Sequence, residues 1–396
     1  MRSLRPTTTP KPAGDGRQNR SGVGLPERII TACDRDNPAD RVLREYLKAE
    51  RDMMPSDARA ISQTVFNYFR WRGWLDPDSP LNQQIRKARE LAANFIADPA
   101  SFSDASLVER VAPEWLRDEM DITPSWARAI QMEPNLWLRA HREQAKALAE
   151  SLGAAKPSKI IADAVQYQGE EDLFRREEFQ AGEFEIQDIA SQAIGWLCAP
   201  KPGETWWDAC AGEGGKTLHL SALMENKGLI WSSDRAEWRL RTLKRRAARA
   251  KVFNFRSVVW NGENKPPTNT KFDGVLVDAP CSGVGTWQRN PHARWTTNPQ
   301  DVAELSAIQQ RLLGLAATGV KAGGKLFYVV CTLTRSETAR VVAEFNHKFQ
   351  GEFEPLTLSK QWENHAHASK DGGLTIWPQD LGGNGMFIAA WCRKKK

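Results

Sequence analysis

The sequence predicts an α/β protein in which a doubly wound, Rossmann-like domain follows two smaller N-terminal regions. From about residue 179, short apolar runs alternate with longer helical stretches, which is typical of a largely parallel sheet covered by helices. Between about 38 and 98 the apolar residues recur at helical spacing. Between about 112 and 178, helical pieces are interrupted by prolines, which indicates a small connecting domain.

The composition is typical of a globular protein with a substantial core. The chain has 396 residues, of which 41% are hydrophobic and 26% are charged, so two or three domains are expected. No uninterrupted apolar run approaches the length of a membrane helix and no secretory signal opens the chain, so we expect no contact with a membrane. The net charge of +6 is compatible with a polyanionic partner but does not establish one.

The six cysteines are widely spaced, which argues against a disulfide framework and against a zinc site. There is no Cys-x-x-Cys pair and no histidine at ligand spacing, so no metal is expected. The simplest location is the reducing cytoplasm. In that compartment a cysteine is either a small core residue or a chemical group.

The chain is predicted to consist of four segments. Residues 1–28 form a basic arm that is expected to be disordered, because it is rich in Pro, Gly, Thr and Arg. Residues 29–111 form a helical domain, on which Ile61, Val65 and Phe69 recur every four residues and whose aromatic side chains are expected in a core. Residues 112–178 form the connecting domain, and residues 179–396 form the doubly wound domain.

Strands and helices are predicted in alternation within this last segment, and ligands of such sheets bind at the carboxyl ends of the strands. We therefore expect the functional residues directly after strands. A final strand at 386–392 is expected at the edge of the sheet. The other predicted strands are 205–208, 229–233, 257–260, 274–278 and 325–330, and the predicted helices are 216–225, 235–251 and 301–320.

The first predicted strand runs into a glycine-rich turn at 208–217, with the sequence Asp-Ala-Cys-Ala-Gly-Glu-Gly-Gly-Lys-Thr. Glycines let the backbone turn sharply towards a ligand, and the following helix points its N–H groups at that ligand. A phosphate-binding P-loop would need glycine at Cys210, and the spacing also differs from the dinucleotide fingerprint. Two interpretations remain, a turn that holds S-adenosylmethionine and a purely structural turn.

Polar residues also follow the second and third strands. Asp234 is placed to accept hydrogen bonds from ribose hydroxyls, and Asn261 is placed to contact an adenine edge. The helix after Asp234 is strongly basic. It presents either a solvated face or a contact surface for RNA phosphates.

Two cysteines follow the fourth and fifth strands, and both are expected to face the same crevice. Cys281 lies in the motif Asp-Ala-Pro-Cys-Ser-Gly that begins at Asp278, and Cys331 follows Tyr-Val-Val. Carbon 5 of cytosine accepts a methyl group only after a thiolate attacks C6, with an acid near N3 and a base that later removes the C5 proton. Cys331, Asp278 and Cys281 could fill these three roles.

These motifs resemble those of the RsmB/NOL1/NOP2/Sun family of RNA cytosine-5 methyltransferases. The resemblance covers roughly residue 179 to the C-terminus and includes Cys-Ala-x-x-Gly-Gly-Lys-Thr, Asp-Ala-Pro-Cys-Ser-Gly-x-Gly-Thr and the second cysteine. It implies a methyltransferase domain in which Cys331 is the nucleophile and Cys281 assists product release. It also implies that Asp278 contacts the cofactor or the base.

The resemblance further implies S-adenosylmethionine as cofactor and RNA, specifically ribosomal RNA, as substrate. It implies that the helical domain is a NusB-like RNA-binding domain, and we expect a monomer. The residues implied in cofactor binding lie in the glycine-rich turn and after the strands: Cys210, Ala211, Gly212, Glu213, Gly214, Gly215, Lys216, Asp234, Asn261 and Asp278.

The sequence departs from the family pattern at several positions. Glu213 stands where the family has Pro, Val330 where it has Thr, and Asn261, His292 and Asn384 where it has Asp. Two alternatives remain open. One is a DNA-type cytosine-5 methyltransferase, in which the cysteine of the Pro-Cys motif would be the nucleophile. The other is an RNA-binding ribosome-assembly factor with a vestigial catalytic fold.

Overall fold

The computed structural model describes residues 24–50, 52–358, 362, 364–369 and 372–395. The predicted basic arm at 1–28 therefore lies almost wholly outside the described residues. The arm was predicted to extend to residue 28, but the first helix already begins at Leu25. Within the part of the chain that the structure describes, none of the helices combines the length and the apolarity needed to cross a membrane.

The N-terminal region is helical, and its helices form because apolar residues line one face of each. On α3, Val65 and Phe69 are buried one helical turn apart, as the sequence predicts. A second apolar cluster forms around the buried Trp71 and Phe95. The helices are α1 (Leu25–Ala32), α2 (Ala39–Ala49), α3 (Pro55–Arg70), α4 (Leu81–Ala97), α5 (Asp104–Arg110) and α6 (Pro124–Gln131).

The segment predicted as a connecting domain is divided between two structural units. Its first part, through α6, packs into the helical region, since Leu116 and Trp126 belong to the same apolar cluster as Trp71. Its second part belongs to a small antiparallel sheet with the strand order β2-β3-β1-β4, which continues past the predicted border at residue 178. The elements of this unit are β1 (Leu136–Ala140), α7 (Ala145–Leu152), β2 (Ala155–Pro157), β3 (Ala164–Tyr167), α8 (Glu177–Gln180) and β4 (Phe184–Ile186).

The doubly wound domain contains the expected alternation of strands and helices. Its large sheet has the order β11-β12-β13-β9-β8-β5-β6-β7, and β7, β6, β5, β8 and β9 run parallel. The elements are α9 (Ile189–Cys198), β5 (Thr205–Asp208), α10 (Gly215–Leu223), β6 (Leu229–Asp234), α11 (Glu237–Arg249), β7 (Phe255–Val259), β8 (Phe272–Asp278), α12 (Ala293–Thr296), α13 (Pro299–Ala317), β9 (Val320–Val330), α14 (Ala339–Phe349), β10 (Phe353–Pro355), β11 (His367–Ala368), β12 (Gly373–Ile376), α15 (Pro378–Leu381) and β13 (Met386–Arg393).

The last strand does not lie at the edge of the sheet, so that expectation was wrong. β13 is antiparallel and lies between β9 and β12. Its first six residues are all buried. A continuous apolar run of this kind is typical of a strand that is covered on both faces, whereas a half-exposed strand alternates apolar and polar residues.

The helical region is joined to the doubly wound domain through Arg294 on α12, which is fully buried. Its guanidinium donates hydrogen bonds to the backbone carbonyls of Val111 and Ile130 and to the side chain of Gln131, at 2.8 to 3.0 Å. Arg70 is buried beside it and donates to the carbonyl of Gln288. Because no carboxylate is among these acceptors, backbone dipoles stabilise the buried charge. Burial lowers the pKa of Arg294 to about 9.

We expect Arg294→Ala to lower the free energy of unfolding by about 3 to 5 kcal/mol, since it leaves several buried carbonyls without a donor. Urea titration followed by circular dichroism measures the change. Arg175→Ala is the matched control, because the Arg175 side chain is 88% exposed. It should change the free energy by less than about 0.5 kcal/mol. Equal effects of the two substitutions would contradict the role assigned to Arg294.

Candidate functional site

The candidate site lies where the parallel strands end. Asp208, Asp234 and Asp278 are the last residues of β5, β6 and β8, and Cys331 directly follows β9. These four strands are neighbours in the sheet, so the four side chains come from one edge. The sequence-based expectation that polar and nucleophilic residues follow the strands is consistent with this arrangement.

The glycine-rich turn after β5 is held against the end of β6. The backbone N–H of Gly212 donates to Asp234 Oδ2 at 3.0 Å, and the N–H of Ala211 donates to the carbonyl of Ser233 at 2.8 Å. Gly212 and Gly214 have φ values of +55° and +89°, which side-chain-bearing residues rarely adopt. A Cβ atom at Gly214 would also lie 2.6 Å from Leu243 Cγ. This turn therefore requires glycine.

Asp234 is 5% exposed, and its carboxylate links the turn to the start of α11. Oδ1 accepts a hydrogen bond from the N–H of Ala236 at 2.8 Å, and Arg239 lies 3.5 Å from Oδ2. Each carboxylate oxygen has two lone pairs, so acceptor capacity remains for a ligand. Asn261 is arranged differently: its amide donates to the Glu263 carboxylate at 2.9 Å and its carbonyl accepts from the Glu263 N–H, which closes a local turn.

The small sheet supports the glycine-rich turn from behind. Arg139 on β1 donates to the Gln187 side chain at 2.6 Å, and Gln187 donates in turn to the carbonyl of Gly215 at 3.3 Å. Arg246 on α11 donates to the carbonyl of Glu213 at 3.0 Å and pairs with the buried Glu185 of β4 at 2.8 Å. The position of the turn therefore depends on residues of the small sheet and of α11.

Lys216 is buried and forms an ion pair with the partly buried Asp278, in which Nζ lies 2.7 Å from Oδ2. Burial alone would lower the pKa of Lys216, but the charge and the hydrogen bond of Asp278 outweigh burial and raise it. Asp208 is also fully buried. Burial and the charge of Asp278 raise its pKa to about 7, and among the described residues its Oδ1 atom has no hydrogen-bond partner. The site is therefore rich in carboxylates and contains one lysine.

The two predicted cysteines lie together, with 3.2 Å between Cys281 Sγ and Cys331 Sγ. The hydrogen bond with Cys281 lowers the pKa of Cys331. Burial and the charge of Asp278 oppose this change, and the charges of Lys216 and Arg289 add to it. The same hydrogen bond, burial and the charge of Cys331 raise the pKa of Cys281 well above its usual range. The two shifts are opposite in direction, so they favour ionisation of Cys331 over ionisation of Cys281.

A buried carboxylate that sequence reasoning missed, Glu337, lies beneath both cysteine loops. It ends the 3₁₀ turn Arg335–Glu337, six residues after Cys331. It accepts hydrogen bonds from the backbone N–H of Ser282, which follows Cys281, and from the hydroxyl of Thr332, which follows Cys331. A residue in a turn belongs to neither the strand period nor the helix period, so no pattern marks it.

The structure brings most of the predicted site residues to one edge of the sheet. Lys216, Asp278, Cys281 and Cys331 form one group, and the glycine-rich turn with Asp234 forms a second group beside it. The Cys210 thiol lies partly buried near three carboxylates. Burial and these charges raise its pKa, so it is not a reactive thiol. Within the described ranges, no group of three or more His, Cys, Asp or Glu side chains could hold a metal ion.

Residues 196–392 match the family model described as 16S rRNA methyltransferase RsmB/F. The chain is 37% identical over 220 residues to the probable ribosomal RNA small subunit methyltransferase B of Bacillus subtilis (strain 168). That match covers 54% of this chain and 49% of the relative, so the chain spans about half the length of that protein.

Two solved structures resemble the fold. The crystal structure of PH0851 superposes with a TM-score of 0.75 at 23% identity, covering 94% of this chain and 99% of that one. A methyltransferase homologue from Pyrococcus horikoshii superposes with a TM-score of 0.59 at 26% identity, covering 68% and 90% of the two chains. The domain that carries the candidate site, residues 196–392, thus matches the RsmB/F family of methyltransferases.

Proposed function

We propose that this protein transfers a methyl group from S-adenosylmethionine to carbon 5 of a cytosine in ribosomal RNA, through a covalent bond between Cys331 and C6. The observation that carries the proposal is the pair of sulfur atoms 3.2 Å apart beside the Lys216–Asp278 ion pair. One nucleophilic thiol, one proton-holding thiol and one hydrogen-bonding pair for the base are the groups that this reaction needs.

The residues at the ends of β5 and β6 fit the cofactor. The turn at Gly212–Gly215 leaves its backbone free to approach a ligand, and a Cβ at Gly212 would meet nothing closer than 3.9 Å, so space is open beside it. Asp234 keeps acceptor capacity for ribose hydroxyls. When bound, S-adenosylmethionine supplies the methyl group that carbon 5 accepts. The local turn that engages Asn261 makes its proposed adenine contact dependent on opening that turn.

The chain's own groups prepare the nucleophile. The Lys216 and Arg289 charges favour a thiolate at Cys331, and Cys281 donates a hydrogen bond to it. The thiolate attacks C6 of the cytosine, and the electron pair of the C5–C6 bond moves towards C5. Asp278 and Lys216 lie together at the end of the neighbouring strand, where they can hydrogen-bond the N3 edge of the ring, and the Lys216 ammonium is the group that can provide a proton there.

The charge of Cys331 also affects the pKa of Cys281. While Cys331 is a thiolate, its charge is one of the causes that raise the pKa of Cys281. Once that charge is consumed in the bond to C6, this cause disappears and Cys281 gives up its proton to water more readily. The resulting thiolate can take the C5 proton, which restores the C5–C6 double bond and expels Cys331. This sequence explains why two thiols are needed.

Ribosomal RNA is proposed as the substrate because the similar protein from Bacillus subtilis is named as a probable ribosomal RNA methyltransferase. The target cytosine must leave its stack to reach Cys331, which costs a few kcal/mol in a duplex and less in a loop. We therefore propose a cytosine in an exposed or remodelled segment.

The two cysteines are expected to give opposite results when they are replaced singly. In Cys331→Ala no covalent protein–RNA complex should form, and methyl transfer should fall by about a thousandfold or more. In Cys281→Ala the complex should accumulate, because the C5 proton is not removed. Denaturing gels of each variant, incubated with S-adenosylmethionine and a small-subunit ribosomal RNA transcript, measure the amount of the covalent protein–RNA complex.

Cys198→Ala is the matched control for the cysteine variants, since Cys198 is a fully buried thiol at the end of α9 whose pKa is raised by burial, so it keeps its proton. It should behave as the unmodified protein does. The reverse pattern, with an adduct that survives in Cys331→Ala and is lost in Cys281→Ala, would assign the nucleophile as in the DNA-type enzymes.

Replacement of Asp234 should weaken cofactor binding. Asp234→Ala removes charge-assisted hydrogen bonds worth about 1.5 to 3 kcal/mol each, so the dissociation constant for S-adenosylmethionine should rise about ten- to a hundredfold. Calorimetry measures it. Asp273→Ala is the control, because Asp273 lies near the opposite end of β8 and pairs with Lys321. If the unmodified protein does not bind at millimolar ligand, the vestigial alternative is favoured.

A further inference from the structure

We propose that Glu337 is a positioning residue that holds the two cysteine loops together and whose charge keeps the shared proton on Cys281, so that Cys331 is the thiolate. The inference rests on the roles proposed above for the two cysteines and adds a residue that determines which thiol takes which role. Glu337 is fully buried and touches neither sulfur through a hydrogen bond, so it acts through its neighbours and its field.

The carboxylate of Glu337 is saturated with donors from both loops and from α13. Oε1 accepts from the N–H of Ser282 at 2.8 Å and from the side-chain amide of Gln309 at 2.9 Å. Oε2 accepts from the hydroxyls of Thr334 at 2.8 Å and Thr332 at 3.1 Å, and from the hydroxyl of Ser282. All five of these donors are neutral.

This arrangement determines the distance between the two sulfur atoms. Ser282 and Thr332 each follow one of the cysteines, and their hydroxyl oxygens are 2.9 Å apart while both donate to Glu337. These hydrogen bonds to Glu337 therefore fix each loop at the residue that directly follows its cysteine. The carboxylate provides the shared acceptor for both loops.

The charges around the thiols are distributed unequally. After its hydrogen bond with Cys331 and its burial, the charges of Cys331 and Glu337 also raise the pKa of Cys281. On the other side, Lys216 and Arg289 lower the pKa of Cys331, and Asp278 opposes them. Glu337 takes two of its five hydrogen bonds from Ser282, the residue after Cys281, so its negative charge acts beside that thiol. Cys331 has two cations beside it as well as the Asp278 carboxylate. A proton shared by the pair is therefore most stable on Cys281.

Glu337→Gln tests the charge with little change in contacts. The amide oxygen can replace Oε1, whose partners are donors only. The NH₂ group can replace Oε2, whose three hydroxyl partners can turn and accept. Timed alkylation with iodoacetamide at pH 7, followed by peptide mass mapping, gives the rate at Cys331 relative to Cys281. We expect Cys331 to react at least about tenfold faster in the unmodified protein, and Glu337→Gln to reduce this preference about tenfold.

Thr334→Val is the matched control. It removes one hydrogen bond to the same carboxylate and keeps the charge, so the preference for Cys331 should stay within about twofold of the unmodified protein. If Glu337→Gln does not fold, Gln309→Lys replaces it as the test variant. The lysine would place a cation beside Oε1 and could still donate to the carbonyl of Pro280, which now accepts from Gln309. Because this cation neutralises the carboxylate, the preference of alkylation for Cys331 over Cys281 should be lost.

The outcomes separate this inference from the proposed function. An unchanged preference in Glu337→Gln, or in Gln309→Lys where the first variant does not fold, overturns the inference. An equal loss of preference in Thr334→Val also overturns it, because the lost hydrogen bond, and not the charge of Glu337, would then explain the effect. If Cys281 reacts faster than Cys331 in the unmodified protein, the proposed roles of the two cysteines are themselves wrong.

Discussion

The parallel register between β8 and β9 is the constraint on which the candidate site depends. Asp278 pairs with Val329, so Cys281, three residues later, and Cys331, two residues later, leave the sheet side by side. The N–H of Gly285 donates to the carbonyl of Cys331 at 3.1 Å, which ties the first loop to the second. A Cβ at Gly285 would lie 2.1 Å from a carbonyl oxygen of the loop before β13. The sulfur pair is thus a consequence of strand pairing and close backbone contact.

The charges at this edge affect the pKa values of three nearby thiols differently: the pKa values of Cys210 and Cys281 are raised, and that of Cys331 is lowered. Buried carboxylates oppose ionisation of a thiol, and they raise the pKa of Cys210 together with burial. The pKa of Cys331 is lowered instead, first by its hydrogen bond with Cys281 and then by the charges of Lys216 and Arg289, although burial and the charge of Asp278 oppose the change. Burial and the charges of Asp278 and Asp234 likewise raise the pKa of Asp208, which indicates a negative potential at this edge of the sheet. A cationic sulfonium cofactor is the kind of ligand that such a potential favours.

The parts of the fold and of the site that could be predicted are those that follow the repeating apolar pattern of a strand or a helix. β5 was predicted with its observed bounds, and the residues after the strands were identified because parallel strands bring their ends together. The prediction that β13 lies at the edge of the sheet was wrong, because tertiary pairing sets the order of the strands and the pattern of residues within one strand does not. Glu337 was missed because its role arises from five donors that come from three separate parts of the chain.

The helical region also contributes to this arrangement. The Glu119 carboxylate accepts hydrogen bonds from the N–H and the hydroxyl of Ser336 at 2.9 and 2.7 Å, and its carbonyl accepts from the N–H of Arg335 at 2.7 Å. These contacts hold the turn that ends at Glu337. Two residues of the turn are therefore fixed by the helical region, while the third holds both cysteine loops. The N-terminal region is thus a structural part of the site, because the separation of the two thiols depends on a turn that it helps to position.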